Sequence, residues 1–204
     1  DFKLGRHQID WLKTELERAK REEKSAAIFM HTYPADFGEE AAEITLLVDR
    51  SSAALVDMGH THYNELANDG RTIYASTRST GQIEEGEVGY SFVAVDGGVV
   101  SWRVKPLGSP WPFVVITSPP DRRLTMRDHQ QAAFGEIRAS VWGASAIDTA
   151  EARIDDGEWT RMTAAAGGIV KLRTALPEAA YRLTVRVRTQ DSQVGHDEIE
   201  VDLG

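Results

Sequence analysis

His60 and His62, separated by one residue, close the apolar run Ala53-Ala54-Leu55-Val56-Asp57-Met58-Gly59. A third histidine, His31, closes another apolar run, Ala26 to Met30. Neutral imidazole is a borderline ligand for Zn, Fe, Mn, Ni or Co. Three histidines delivered by the ends of two buried strands would make a metal site, and with it hydrolytic chemistry. Gly59 would let the backbone turn closely around an ion. Two plainer readings stand beside this one. His-x-His occurs in ordinary loops, and a histidine ending a strand is often a hydrogen-bonded packing residue.

The elements that must position these residues follow from periodicity. Ile9, Leu12, Leu16 and Ala19 recur at helical spacing among charged residues, predicting an amphipathic helix of about four turns. Ala26 to Met30 then reads as a short strand covered on both faces. Pro34 to Gly38 form a loop, and Glu39 to Ser51 a second helix with acidic residues in its first turn. The strand Ala53 to Met58 completes a strand-helix-strand crossover. Its two strands are expected to be parallel, with both histidine sites at one sheet edge.

Hairpin signals follow. Asn68-Asp69-Gly70 separates Tyr63–Ala67 from Arg71–Ala75, and Asp96-Gly97-Gly98 separates Tyr90–Val95 from Val99–Val104. The polar stretch between them, residues 76–89, is a solvated loop or a pocket rim. Pro106 to Pro112 reads as a stiff connector, placing a first domain at 1–107, a linker at 108–112 and a second domain at 113–204. Beyond it come strand candidates at Phe113–Thr117, Gly135–Val141, Ala150–Ile154, Glu158–Met162, Ile169–Leu172, Tyr181–Arg188 and Glu198–Leu203. Asp155-Asp156-Gly157 marks a tight turn among them. About seven short strands at regular spacing predict an all-β immunoglobulin-like sandwich. The fold class is therefore an α/β mixed sheet with helices followed by that sandwich.

The 204 residues carry a formal charge of −9, which speaks against nucleic acid or an anionic membrane surface as a partner. No apolar run reaches the roughly 20 residues needed to span a bilayer. Zero cysteines exclude a disulfide framework, thiolate zinc ligands and a cysteine nucleophile, and leave the compartment open. His7, His129 and His196 lack any matching context and read as surface residues. Trp102, Trp111 and Trp142 read as packing residues or a ligand platform. Arg182, Arg186 and Arg188 read as the wet face of a strand.

Phe29-Met30-His31-Thr32-Tyr33-Pro34 and Val56-Asp57-Met58-Gly59-His60-Thr61-His62 resemble the last two metal motifs of calcineurin-like metallophosphoesterases. The helix holding Gln8-Ile9-Asp10-Trp11-Leu12 resembles the one that commonly precedes the first of those motifs. The resemblance covers roughly residues 1 to 107. It implies divalent metal ions, two per complete site (Mn, Fe, Zn or similar), and a phosphomonoester or phosphodiester substrate. By motif position, His31 and His60 would ligate one metal and His62 the other. Thr61 and Asn64 would at most support them.

The family's Asp-x-His, Gly-Asp-x-x-Asp and Gly-Asn-His-Glu motifs do not occur in the chain. Asp36, Glu39 and Glu40 look like loop and helix-start residues, and Asp57 would be costly on a buried strand unless paired. The resemblance thus implies the C-terminal portion of a catalytic domain, inactive alone, whose partner would be the missing N-terminal half or, through exposed strands, a second copy. The alternative is a non-catalytic binding or assembly module with a structural or vestigial histidine site.

Overall fold

A computed structural model describes residues 2–81, 86–126 and 135–202 of the chain. They fall into two compact units, 1–90 and 91–204. The first contains α1 (Arg6–Arg21), β1 (Ala26–Phe29), two short 3-10 turns (Pro34–Asp36 and Gly38–Glu40), α2 (Ala41–Asp49), β2 (Ala53–Met58), β3 (Glu65–Asn68) and β4 (Ile73–Ser76). Its sheet runs β1-β2-β4-β3, with β1, β2 and β4 parallel and β3 antiparallel to β4. The crossover predicted between the two histidine strands is present.

Leu12 and Leu16 of α1 and Val48 of α2 share one buried cluster with Ile28, Val56 and Met58. Ile28 and Val56 are register partners, so both helices pack on the same face of the sheet. No acidic side chain of α1 stands in its first turn. The carboxylate of Glu40 serves instead, accepting from the backbone N–H of Leu4 (2.7 Å) and Gly5 (3.1 Å). Arg18, Lys20 and Arg21 occupy the last turn, where the helix dipole favours positive charge. The second helix is shorter than predicted, because its first turn is the 3-10 segment Gly38–Glu40.

The reading of Ala26 to Met30 as covered on both faces is corrected by the structure. Ala27 and Phe29 are exposed, Phe29 at 74%. The strand is an edge, paired only with β2 among the described residues, and helices cover one of its faces.

The second unit carries most of β5 (Gly89–Asp96) and all of β6 (Val99–Pro106), β7 (Phe113–Ser118), β8 (Glu136–Trp142), β9 (Ile147–Ile154), β10 (Thr160–Arg161), β11 (Thr163–Ala165), β12 (Ile169–Arg173), β13 (Tyr181–Thr189) and β14 (Val194–Val201). The β5–β6 hairpin has the predicted turn at Asp96-Gly97-Gly98. It falls largely within the second unit, so the division lies earlier in the chain than the expected linker at 108–112.

Two antiparallel sheets follow, ordered β11-β12-β8-β7 and β10-β9-β13-β14. Val114, Ile116, Ile137, Ala139 and Val170 of the first pack against Ala150, Ala152, Leu183, Val185, Val187 and Val201 of the second. Of the six long strands, the first, second and fourth (β7, β8, β12) lie on one sheet and the third, fifth and sixth (β9, β13, β14) on the other, a connectivity of the immunoglobulin and fibronectin(III) sandwich type. A small mixed α/β unit followed by a β-sandwich is therefore the architecture.

The last strand begins at Val194, where Glu198 was expected. Its inward positions there are Gly195 and Asp197, which carry no apolar signal. Asp197 is tolerated inside because it accepts from Ile116 N (2.8 Å) and pairs with Arg103 Nε (3.2 Å). Burial still pushes its carboxyl above the ordinary range, against the pull of Arg103 and two backbone donors. The Leu203 end of the expected strand, and His129, lie outside the described residues. His196 stands exposed on β14.

Two substitutions probe the packing. A side chain at Gly195 would run into the Pro112 carbonyl oxygen, so Gly195→Ala will lose about 1–3 kcal/mol in urea unfolding. The Tyr181 hydroxyl is buried with no hydrogen-bond partner among the described residues, and burial pushes its pKa up to about 12. Tyr181→Phe will therefore be neutral or stabilising, by up to about 1 kcal/mol in the same measurement.

Candidate metal centre

Parallel pairing of β1, β2 and β4 brings the carboxyl ends of all three strands to one edge, where α/β sheets characteristically bind ligands. The ladder continues past the strands themselves. Met30 N donates to Asp57 O (3.1 Å), Gly59 N to His31 O (3.2 Å) and Thr77 N to Met58 O (3.1 Å). His31 and Gly59 are thereby tied across the edge.

The loop after β2 is held from below. Buried Ser76, the last residue of β4, donates its hydroxyl to Gly59 O at 2.8 Å and lies 3.0 Å from Thr61 Oγ1. Thr61 N also donates to Gly59 O, at 2.7 Å. His60 (φ 57°) and His62 (φ 63°) both adopt left-handed backbone. That conformation costs a non-glycine residue roughly 1–2 kcal/mol, and histidine is among the types found there more often.

This conformation decides which histidines meet. In an extended segment, residues two apart share a side. Left-handed turns at both positions remove that periodicity. The rings that come together are His31 and His60, with centroids 5.3 Å apart and planes at 66°. Phe2 lies edge-on against both, 4.7 Å from His60 and 6.0 Å from His31. Among the described residues, no group of three His, Cys, Asp or Glu side chains is placed to hold a metal ion, so His62 does not complete a ligand set with the other two.

The neighbouring acids have other work. Asp36 accepts from Thr32 Oγ1 (2.8 Å), Glu40 holds the start of α1, and Glu39 is exposed. Burial raises the pKa of Asp57 above its ordinary value. Asn64 supports the following loop, its Oδ1 accepting from Arg78 N at 3.1 Å. Within that loop, residues 82–85 lie outside the described residues.

One pair near this edge was missed in the sequence. Tyr33 is half-buried, and its hydroxyl pKa is raised by burial first and then by the Glu65 carboxylate, to which it hydrogen-bonds. Tyr33 stands two residues after His31 and Glu65 three after His62, but only the β3–β4 hairpin brings them together.

Other singled-out residues lie elsewhere. Exposed His7 belongs to the first turn of α1. Arg182 pairs with Asp156 (2.8 Å), and Arg186 pairs with Glu151 (2.7 Å) while stacking on Trp159. No helix among the described residues is long and apolar enough to cross a membrane.

No protein-family model matches the chain, and no curated protein matches it in sequence. Solved structures align with it at low similarity. The fibronectin(III)-like modules of Clostridium thermocellum CbhA align over 44% of this chain and 94% of theirs, at 17% identity and TM-score 0.32. The sulfane dehydrogenase SoxCD from Paracoccus pantotrophus aligns over 65% of this chain and 39% of its own, at 16% identity and TM-score 0.36. A Cellulomonas fimi endo-β-1,4-mannanase double mutant aligns over 98% and 45%, at 12% identity and TM-score 0.34. None of these three is a metallophosphoesterase.

If the Ser76 hydroxyl holds the histidine loop, Ser76→Ala will cost about 1 kcal/mol. Hydrogen exchange of the amides at residues 59–62 will accelerate, while those of α1 keep their protection.

Proposed function

We propose that this chain supplies the C-terminal part of a metal-dependent phosphoesterase centre. His31 and His60 would jointly ligate one divalent cation, His62 would serve a second, and the remaining ligands would come from the N-terminal half of the domain. The observation that carries this reading is the meeting of the His31 and His60 rings at the carboxyl edge of parallel strands. The exposed face of β1, with Phe29 on it, supports it further, since a packed catalytic domain would cover that surface.

The residues present do not fit a metal pair by themselves. Zinc sites use three or four protein ligands, and no third His, Asp or Glu among the described residues joins His31 and His60. No catalytic step is therefore derived within this chain. In a completed site the two cations would supply a hydroxide at neutral pH and offset charge on the phosphoryl oxygens. The substrate would be a phosphomonoester or phosphodiester.

A second reading, a non-catalytic module with a structural or vestigial histidine pair, is favoured by the Phe2 ring packed against both imidazoles. The edge of β1, unpaired among the described residues, also suits strand pairing with a second copy. Sedimentation of the purified chain separates monomer from dimer.

Metal titration distinguishes the main readings. The isolated chain is expected to bind Zn or Mn weakly and to leave bis-p-nitrophenyl phosphate intact. His31→Ala and His60→Ala should each abolish that binding. A longer chain carrying the three earlier family motifs should hydrolyse the ester and lose at least about a hundredfold in rate with either substitution. Absence of turnover in such a chain refutes the enzyme reading.

A further inference from the structure

At one end of the sandwich, the β6–β7, β8–β9 and β13–β14 segments line an open cleft of about 430 Å³. Its walls include Trp111, Trp142, Ser145, Thr189, Asp191 and Gln193. The volume lies within the range of small-ligand sites, roughly 300–1,000 Å³. The lining is predominantly apolar, with the two indole rings and Pro112, and two hydroxyls, a carboxylate and an amide add a few polar groups.

The aromatic side is held in place before any ligand arrives. Trp111 is 43% exposed, yet its ring rests on the ammonium of Lys105, 4.3 Å from the ring centroid. Lys105 is only 1% exposed and donates to Ser109 O (2.7 Å), Ser109 Oγ (2.8 Å) and Pro106 O (3.3 Å). Phe92 meets the same indole edge-on at 6.5 Å and packs on Trp142 at 4.6 Å. An exposed ring fixed on a buried cation has little freedom left to lose on binding.

The polar side is equally organised. Asp191 Oδ1 accepts from Thr189 Oγ1 (2.5 Å), and the Ser145 hydroxyl also donates to this carboxylate. Gln190 N donates to Ala146 O (2.9 Å), tying the β13–β14 loop to the β8–β9 loop. A carboxylate has about four acceptor positions, so Asp191 keeps capacity for further donors after receiving two hydroxyls.

We propose that this cavity binds a neutral oligosaccharide, one pyranose face stacking on Trp111 and adjacent ring hydroxyls donating to Asp191. The apolar C–H face of a pyranose matches an indole, and its vicinal hydroxyls match the two oxygens of a carboxylate. The obvious competitor is a quaternary ammonium, which aromatic rings and a carboxylate also attract. Lys105 decides against it: the ring already carries one cation on its inner face, and a second on the outer face would be repelled across the indole. A neutral polyol meets no such penalty. The site lies wholly within the second unit and does not depend on the phosphoesterase reading.

The test is a neutral-glycan array, followed by calorimetric titration of the best soluble hexasaccharide and, in parallel, of tetramethylammonium. Saturable binding with Kd on the order of 0.1 mM is expected for at least one neutral glycan, and none for tetramethylammonium. Trp111→Ala should remove the binding. Asp191→Asn should weaken it about tenfold while the melting temperature stays within about 2 °C, which separates a binding role from a folding one. The proposal is overturned if no glycan on the array binds, if tetramethylammonium binds instead, or if folded Asp191→Asn and Trp111→Ala both bind as tightly as the unaltered chain.

Discussion

Gly59 donates its backbone N–H to the carbonyl of His31, and that single link carries the β1–β2 ladder beyond the last residue of either strand. The geometry of the histidine edge depends on it. With β1, β2 and β4 parallel, three chain ends emerge side by side, and the 3.2 Å bond sets His31 opposite the turn that presents His60. Ser76, from the end of β4, then fastens the far side of the same turn through Gly59 O and Thr61. The left-handed conformations of His60 and His62 persist because these bonds over-determine the loop. A pair of imidazoles in contact is the outcome, with a phenylalanine edge against both.

The sandwich rests on a different constraint. Its two sheets bury an apolar layer, yet β14 contributes a carboxylate and a glycine to the inward face. Asp197 repays its desolvation through Ile116 N and Arg103, linking β14 to β7 and β6. Gly195 lets the chain at Pro112 approach closely, which also sets where Trp111 stands. Packing exceptions inside the sandwich and the aromatic cavity at its end are therefore neighbours in sequence and in cause. Lys105 extends the same logic, since a buried ammonium is stable there only because Ser109, Pro106 and the Trp111 face receive it.

Much of the fold was legible from periodicity and turn chemistry. The spacing of Ile9, Leu12 and Leu16 gave α1, and the Asn-Asp-Gly and Asp-Gly-Gly turns gave both hairpins. Alternation along Tyr181–Arg188 marked β13. What failed did so where the local signal was mute. Apolar residues at Ala26 to Met30 look alike whether one face or two is covered, and Phe29 turns out exposed. The start of β14 was invisible because its inward residues are Gly and Asp.

The residue types at positions 31, 60 and 62, and the strand-helix-strand order that aligns two of them, are properties of the sequence alone. Those suffice to say that imidazoles stand at one sheet edge. Which of them touch is a tertiary matter, because two left-handed residues held by Ser76 override the two-residue repeat of an extended chain. The union of Trp111, Trp142 and Asp191 around one cavity is tertiary too. Those residues lie far apart in sequence, and only the closure of two sheets brings their loops to the same end.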